Sequence, residues 1–246
     1  MASTLVRRVN AFWFRDLKKL HPVPPSCTQL WFARNPAVDR YIKKAFEPDL
    51  IRLKQQLLQE LEGNAEKGEY SQLKETPEGA LALVLLQSVF QRRMYRVDNP
   101  NDMRRVLSIS PAIPDRSETI GLELSEHTRM LAWYAIQEDY EEDMNPVMAS
   151  FFTLPLIWAE SRTSIDTAIM KIERLLMFSS FCYRDYFTGL LEYARAHDAV
   201  IKKYNRYPSR NPDLPRRNTP EEDIYFSLFQ PHVKAYEAEC KRTKPV

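Results

Sequence analysis

The segment from Thr76 to Arg96 constrains the fold more strongly than any other part of the sequence. It begins with three residues that favour a helix start: Thr76 suits the N-cap, Pro77 the first helical position, and Glu78 the positive end of the helix dipole. Seven apolar residues, Ala80 to Leu86, then follow without a polar interruption. Because a helix that is apolar on every side must be buried on every side, the sequence predicts a helix at the centre of the fold.

This central helix carries few groups that could do chemistry. Between Thr76 and Arg96 there is no His and no Cys, and Glu78 is the single acid. The second half is basic and aromatic, and we expect it to leave the core carrying Arg92, Arg93 and Arg96 among Phe90, Met94 and Tyr95. A small helical enzyme places its functional groups on its central helices, so the pattern favours a non-catalytic role.

The remainder of the sequence is also typical of a helical protein. Five glycines are few and seventeen prolines are many for 246 residues, and most of the prolines separate amphipathic runs. The apolar periodicity predicts about seven helices joined by short turns. The predicted fold is therefore all-α, a TPR-like array of antiparallel helix hairpins that forms a single domain over residues 1–246. A strict TPR sequence repeat is not visible.

The N-terminal segment from Met1 to Leu20 is predicted to form a basic amphipathic helix. It contains five basic residues and one acid. Its apolar residues share one helical face, namely Leu5, Val9, Phe12, Trp13, Leu17 and Leu20. Two interpretations remain open, the first helix of the fold or a mitochondrial targeting segment, and an uncleaved helix would serve as both. The second interpretation favours a mitochondrial over a cytoplasmic location for an intracellular protein.

Several functional classes are disfavoured by what the sequence lacks. No stretch of about eighteen apolar residues occurs, so no transmembrane segment is predicted. The three cysteines are far apart, as expected for reduced thiols in an intracellular compartment. There is no catalytic motif, no glycine-rich phosphate loop and no metal-ligand spacing. We therefore predict no catalytic residue, no metal and no cofactor.

Charged clusters leave the choice of partner open. The run from Glu138 to Asp143 has five acids in six positions, which indicates either a solvated helix end or a site for a basic partner. A basic cluster between Lys202 and Arg217 surrounds Tyr204 and Tyr207. Arginines beside tyrosines suit RNA, acidic protein surfaces and internal carboxylates equally well. Because the net charge is only +2, protein contacts are favoured over RNA.

Four motifs, taken in order, resemble those of one family. They are Phe12-Trp13-Phe14; Trp31-Phe32 followed by Asp39, Ile42 and Phe46; Thr76-Pro77-Glu78-Gly79-Ala80-Leu81-Ala82-Leu83; and Lys203 to Asn211 followed by Thr219-Pro220-Glu221-Glu222. The sequence thereby resembles a mostly bacterial family of TPR-like helical proteins, the domain of unknown function 924. The resemblance spans about residues 9–226 and implies the same all-helical fold.

The departures from the family pattern fall on polar positions. Relatives read DQFPRN where this chain has Ser88 to Arg93, and LPF.HSE where it has Leu154 to Glu160. The resemblance implies that an Asp and two His of the family are missing, with Trp158 and Ser209 in the two His positions. If the family has an active or ligand site, those polar groups are its expected members. The arginines that remain are then expected to hold helices together through carboxylates such as Glu160.

The leading hypothesis is a non-catalytic helical scaffold or accessory subunit that contacts other protein subunits of a large complex. With mitochondrial targeting, a respiratory complex or the mitoribosome is the expected assembly. The alternative is a soluble enzyme or a binder of a small anionic ligand. Its ligand-binding residues would be Arg92, Arg96, Glu160, Arg206, Arg210 and Asn211. RNA binding through residues 202–217 is a third hypothesis.

Overall fold

Helices account for the secondary structure of the described part of the chain. The computed structural model describes residues 4–33, 35–63, 68–98, 120–214 and 216–225, and no strand occurs in these ranges. The α-helices are α1 (Thr4–Trp13), α2 (Pro25–Phe32), α3 (Pro36–Leu61), α4 (Glu69–Lys74), α5 (Pro77–Val84), α6 (Gln91–Asp98), α7 (Ile120–Gln137), α8 (Pro146–Ala149), α9 (Thr153–Ile157), α10 (Arg162–Phe178) and α11 (Arg184–Tyr204). A further helix begins at Pro220. The predicted all-α class is confirmed, while the TPR-like hairpin array and the single domain remain predictions.

The predicted central helix is confirmed, with one irregularity. Every residue from Gly79 to Gln91 is buried, and the Thr76 hydroxyl accepts a hydrogen bond from the Gly79 amide at 3.2 Å. Residues Leu85–Phe90 form a π-helix between α5 and α6. A π-helix carries more residues per turn than an α-helix, so it displaces the helical face that follows.

The expectation that Arg93 leaves the core is wrong. Its side chain is 1% exposed, and its Nε donates to Asp39 Oδ1 of α3 at 2.7 Å. The guanidinium also donates to the carbonyl oxygens of Leu30 and Ala33 at the end of α2. The physical reason is that Asp39 and two backbone carbonyls satisfy the guanidinium inside the core, so that its charge can be buried there.

The N-terminal helix is shorter than predicted and belongs to the core. Leu5, Val6, Val9 and Trp13 are buried in the main apolar core, as the first of the two interpretations predicts. The helix ends at Trp13 instead of near residue 20. The Leu17 amide, which a continued α-helix would bond to the Trp13 carbonyl, bonds to the Phe14 carbonyl at 3.0 Å, and the Trp13 carbonyl accepts from the indole Nε1 of Trp31 at 2.8 Å.

One core extends over most of the described chain. Its buried apolar residues run from Leu5 to Ala194, and a small second cluster consists of Ile165, Ile201 and Tyr207. Within the described helices, none is both long and apolar enough to cross a membrane.

We predict that Gly79→Ala lowers the free energy of unfolding by at least about 2 kcal/mol, because a new Cβ would overlap backbone. The closest atom that it would meet is the carbonyl oxygen of Leu73, which cannot move aside as a side chain could. Urea unfolding followed by circular dichroism measures the change.

The matched control is Gly189→Ala on the exposed side of α11. A Cβ there meets nothing within 4 Å, so this variant is expected to gain up to about 1 kcal/mol from its lower unfolded-state entropy. Equal stability of the two variants would contradict the packing described for α5.

Candidate functional site

After α11 the chain returns to the junction of α9 and α10 in a segment that we name the late loop, residues 205–214 and 216–219. Asn205 follows α11 in the left-handed conformation, with φ at 55°, and its amide donates to the Ile201 carbonyl. Asn tolerates this conformation better than most residues and so ends the helix. The chain after Asn205 then returns to Glu160, which lies just before α10. The next residue, Ser161, caps α10 by accepting from the Ser164 amide at 3.4 Å.

Glu160 is the centre of a hydrogen-bonded network. Arg216 binds it with two parallel bonds, Nη1 to Oε2 and Nη2 to Oε1, each 2.7 Å. The Tyr207 amide donates to Oε1 at 2.8 Å, and Arg210 Nη1 lies 3.7 Å from the same oxygen. Burial acts to raise the pKa of Glu160, but the bonds from Arg216 and the charge of Arg210 outweigh it and lower that pKa. Glu160 is therefore a paired carboxylate that keeps its charge.

Arg210 lies next to the Glu160 carboxylate. Its guanidinium donates to the Trp158 carbonyl and sits 4.6 Å from the centre of the Tyr207 ring. Burial lowers the pKa of Arg210 to about 10, against the opposing effect of the Glu160 charge. At neutral pH it remains a cation, so it stabilises the segment that precedes Glu160.

Tyr207 connects the loop to α11 and α9. Its hydroxyl donates to the Ile157 carbonyl, and His197 Nδ1 lies 3.0 Å from the same hydroxyl. Because the hydroxyl proton goes to the carbonyl, its oxygen accepts from His197, which places the imidazole proton on Nδ1. Burial raises the pKa of Tyr207, so the phenol stays protonated.

A second carboxylate, Glu222, fixes the far end of the loop. Arg206 binds it through Nε at 2.6 Å and Nη2 at 2.7 Å. The Asn211 amide donates to it at 3.1 Å, and the Thr219 amide at 2.7 Å. The Glu222 amide returns a bond to the Thr219 hydroxyl at 3.3 Å, which completes a capping box. The hydrogen bonds from Arg206 are the main cause of the low pKa of Glu222, about 2.

Four of the six residues predicted for a ligand site come together here. Glu160 contacts Arg210, Arg206 contacts Glu222, and Asn211 connects the two groups because its Oδ1 accepts from Arg216 Nε at 2.7 Å. Arg92 is a neighbour whose guanidinium stacks on the Trp158 ring at 3.5 Å. The sixth, Arg96, has a side chain outside the described residues.

Sequence reasoning missed the partners that hold these residues. Arg216 is the partner of Glu160, yet the sequence offers nothing that distinguishes it from Arg217. Glu222 had a usable signal, because Thr219 and Glu222 have the spacing of a capping box. The contact between Trp158 and Tyr193 had no signal in the sequence. The two residues lie on different helices or turns, and the Trp158 indole Nε1 donates to the Tyr193 hydroxyl at 2.8 Å.

The predicted charged clusters also find partners within the chain. Lys202 contacts Asp198 at 2.5 Å, in addition to the pairs of Arg206, Arg210 and Arg216 described above. From the acidic run, Glu141 binds Lys171 at 2.7 Å, and Glu142 lies 3.7 Å from Arg174. Much of the charge proposed for an RNA or a basic partner is thus neutralised internally. In the described ranges, no three His, Cys, Asp or Glu side chains are grouped so as to hold a metal ion.

Comparison with known proteins agrees with this architecture. The model of a family described as "bacterial protein of unknown function (DUF924)" matches residues 9–102 and 117–228. The chain belongs to this family. The predicted resemblance is therefore confirmed.

A similar solved structure is a protein of unknown function, ATU0120, from Agrobacterium tumefaciens. It aligns with a TM-score of 0.62 and 21% sequence identity, over 90% of this chain and 96% of that one. At this identity the likeness extends to the fold and not to function. No curated protein matches this chain.

We predict that Glu222 makes stability depend on pH in the acid range. Its folded-state pKa is lowered, from 4.5 to about 2, so its contribution is complete above pH 4.5 and is lost as pH falls towards 2. Glu222→Gln is expected to be about 1–2 kcal/mol less stable than wild type at pH 7, a difference that disappears in acid. Urea unfolding at a series of pH values measures it.

The control is Glu221→Gln, which changes the exposed neighbour and keeps the capping box. It should follow the wild-type pH profile. A Glu222→Gln profile parallel to wild type throughout the acid range would show that the pairing with Arg206 does not stabilise the fold.

Proposed function

We propose that the chain is a non-catalytic helical accessory subunit that makes protein–protein contacts within a larger assembly. The observation that supports this most directly is the pairing of the two site carboxylates, Glu160 with Arg216 and Glu222 with Arg206. A bidentate arginine occupies both oxygens of a carboxylate and keeps it ionised. Such a group is poorly suited to accept a proton or to bind a substrate. Its effect is to fix the late loop on the helices.

An exposed apolar surface gives the proposal a positive argument. Met177, Phe178 and Phe181 are 73%, 77% and 78% exposed and are close in sequence, where α10 ends and the chain turns towards α11. Met177 and Phe181 also line one groove. Grouped exposed side chains of this size are typical of interaction sites. We name these three residues the apolar turn.

For the location, we propose a mitochondrial complex, either a respiratory complex or the mitoribosome. The exposed side of α1 and the turn after it carries Arg7, Arg8 and Arg15, of which Arg8 pairs with Asp49 and Arg15 with Asp16. The buried side contributes Leu5 and Trp13 to the core, so removal of the helix would open the fold. The proposal therefore requires a targeting helix that stays in the mature protein.

The alternative, a soluble enzyme or a binder of a small anionic ligand, uses the same cluster. It is favoured by one observation, the stacking of the Arg92 guanidinium on Trp158 beside the network. A ligand at this site would have to displace Glu160 from Arg210 or Glu222 from Arg206. Breaking a pair of this kind is costly because it leaves a partly buried charge uncompensated.

We predict that the tagged chain, extracted from mitochondria in mild detergent, migrates on a native gel with an assembly several times its own mass. Intact mass spectrometry of that band should find a chain that keeps α1. A band at the monomer position would contradict the subunit role. A chain that has lost Leu5 to Trp13 would contradict the uncleaved targeting helix.

A further inference from the structure

A groove lies beside the apolar turn, between the C-terminal end of α10 and the first half of α11. Its volume is about 570 Å³. Leu176, Met177, Phe181 and Leu191 form its apolar lining, and charged residues border it. The two helices pack along their length and are joined by a short connection over residues 179–183, so they run antiparallel. The groove is therefore bordered by side chains of both helices and by residues 179–181 of the connection that joins them.

The exposure of the lining is uneven. Leu191 is buried and forms part of the core, whereas Met177 and Phe181 are more than 70% exposed. Because Leu191 is already packed and Met177 and Phe181 are exposed, a partner would bury mainly the side chains of Met177 and Phe181. Met and Phe adapt well to such a partner because both present large, polarisable surfaces.

The charges around the groove are not balanced. Glu173 and Arg195 bind each other at 2.9 Å, so this pair contributes no net charge. Arg184 is the remaining charged residue of the lining, and its guanidinium lies 5.5 Å from the centre of the Phe181 ring; the neighbouring Asp185 is not part of the lining. One positive charge therefore stands next to the exposed apolar side chains.

We propose that this groove binds an amphipathic α-helix of a partner protein, with apolar residues against Met177 and Phe181 and an Asp or Glu against Arg184. A helix fits between two antiparallel helices by placing its ridge of side chains in their groove. An acidic residue complements the charge that the chain leaves unbalanced at Arg184. The inference rests on the proposed function, for which it names the docking surface and the chemistry of the partner.

The probe is a displayed library of helices about 16 residues long, a length that supports helicity. In the library, the positions on one helical face carry different apolar residues. The positions that flank this face carry Glu, Lys, Gln or Ala. Selection against the whole folded protein is expected to enrich binders with Glu next to the apolar face. Binding of one enriched peptide, measured by fluorescence anisotropy, should weaken with added salt.

Three variants locate the binding site. Met177→Ser with Phe181→Ser is expected to abolish binding, and Arg184→Glu to weaken it about tenfold. Exchange of the peptide Glu for Lys should restore binding to Arg184→Glu, which a change in folding could not do. Met130→Ser, an exposed apolar change on α7, is the control and should bind like wild type.

Several results would overturn the inference. They are the absence of enriched helices, enrichment of basic helices, and binding that the groove variants do not change. Self-association of the chain that the same variants abolish would instead make a second copy the occupant. These results are independent of the native gel. Co-migration with an assembly but no helix bound at the groove would contradict the groove proposal and leave the subunit role standing. Helix binding at the groove with a monomer on the native gel would contradict the subunit role and leave the groove proposal standing.

Discussion

Arg93 connects the N-terminal helices to the centre of the protein, and much of the fold depends on that connection. Its guanidinium binds Asp39 at the start of α3 and the last carbonyls of α2. Carbonyls at a helix C-terminus lack partners within the helix, and a cation there also interacts favourably with the dipole. Because the ion pair is buried, removal of one partner is expected to cost about 3–5 kcal/mol. One side chain thus fixes α2, α3 and α6 relative to one another.

Two further carboxylates, Glu160 and Glu222, are also held by arginines. Arg216 binds Glu160 at the start of α10, and Arg206 binds Glu222 in the final helix. In each pair an arginine bonds through two nitrogens, so both partners lose much of their freedom. The three pairs lie at places where a loop or helix end meets the core. The charges that the sequence pattern assigns to a ligand site thus have partners within the fold.

The central helix could be predicted because its signals are local. Thr76 and Pro77 mark the start, and seven apolar residues leave no polar face. Gly79 of the same motif also has a physical reason, since the Leu73 carbonyl leaves no room for a side chain. The burial of Arg93 could not be predicted, because its acceptors lie 54 to 63 residues away in the sequence and no local pattern connects them.

The candidate site was predictable in part. The resemblance to the family identified Glu160, Arg206, Arg210 and Asn211, which the fold brings together. Their partners were harder to find, since Arg216 lies 56 residues from Glu160 in the sequence and looks no different from Arg217. The predicted length of α1 was wrong for a similar reason. Its last carbonyl is taken by Trp31, a contact between distant residues that a helical pattern does not contain.

We propose that the charged cluster around Glu160 holds the fold together rather than binding a ligand. The most direct test is the unfolding temperature of the purified protein with and without about 10 mM phosphate or citrate, at constant ionic strength. We expect a change of less than about 1 °C, because the arginines keep their internal partners. A rise of several degrees that Arg92→Ala abolishes would contradict it and would establish an anion site.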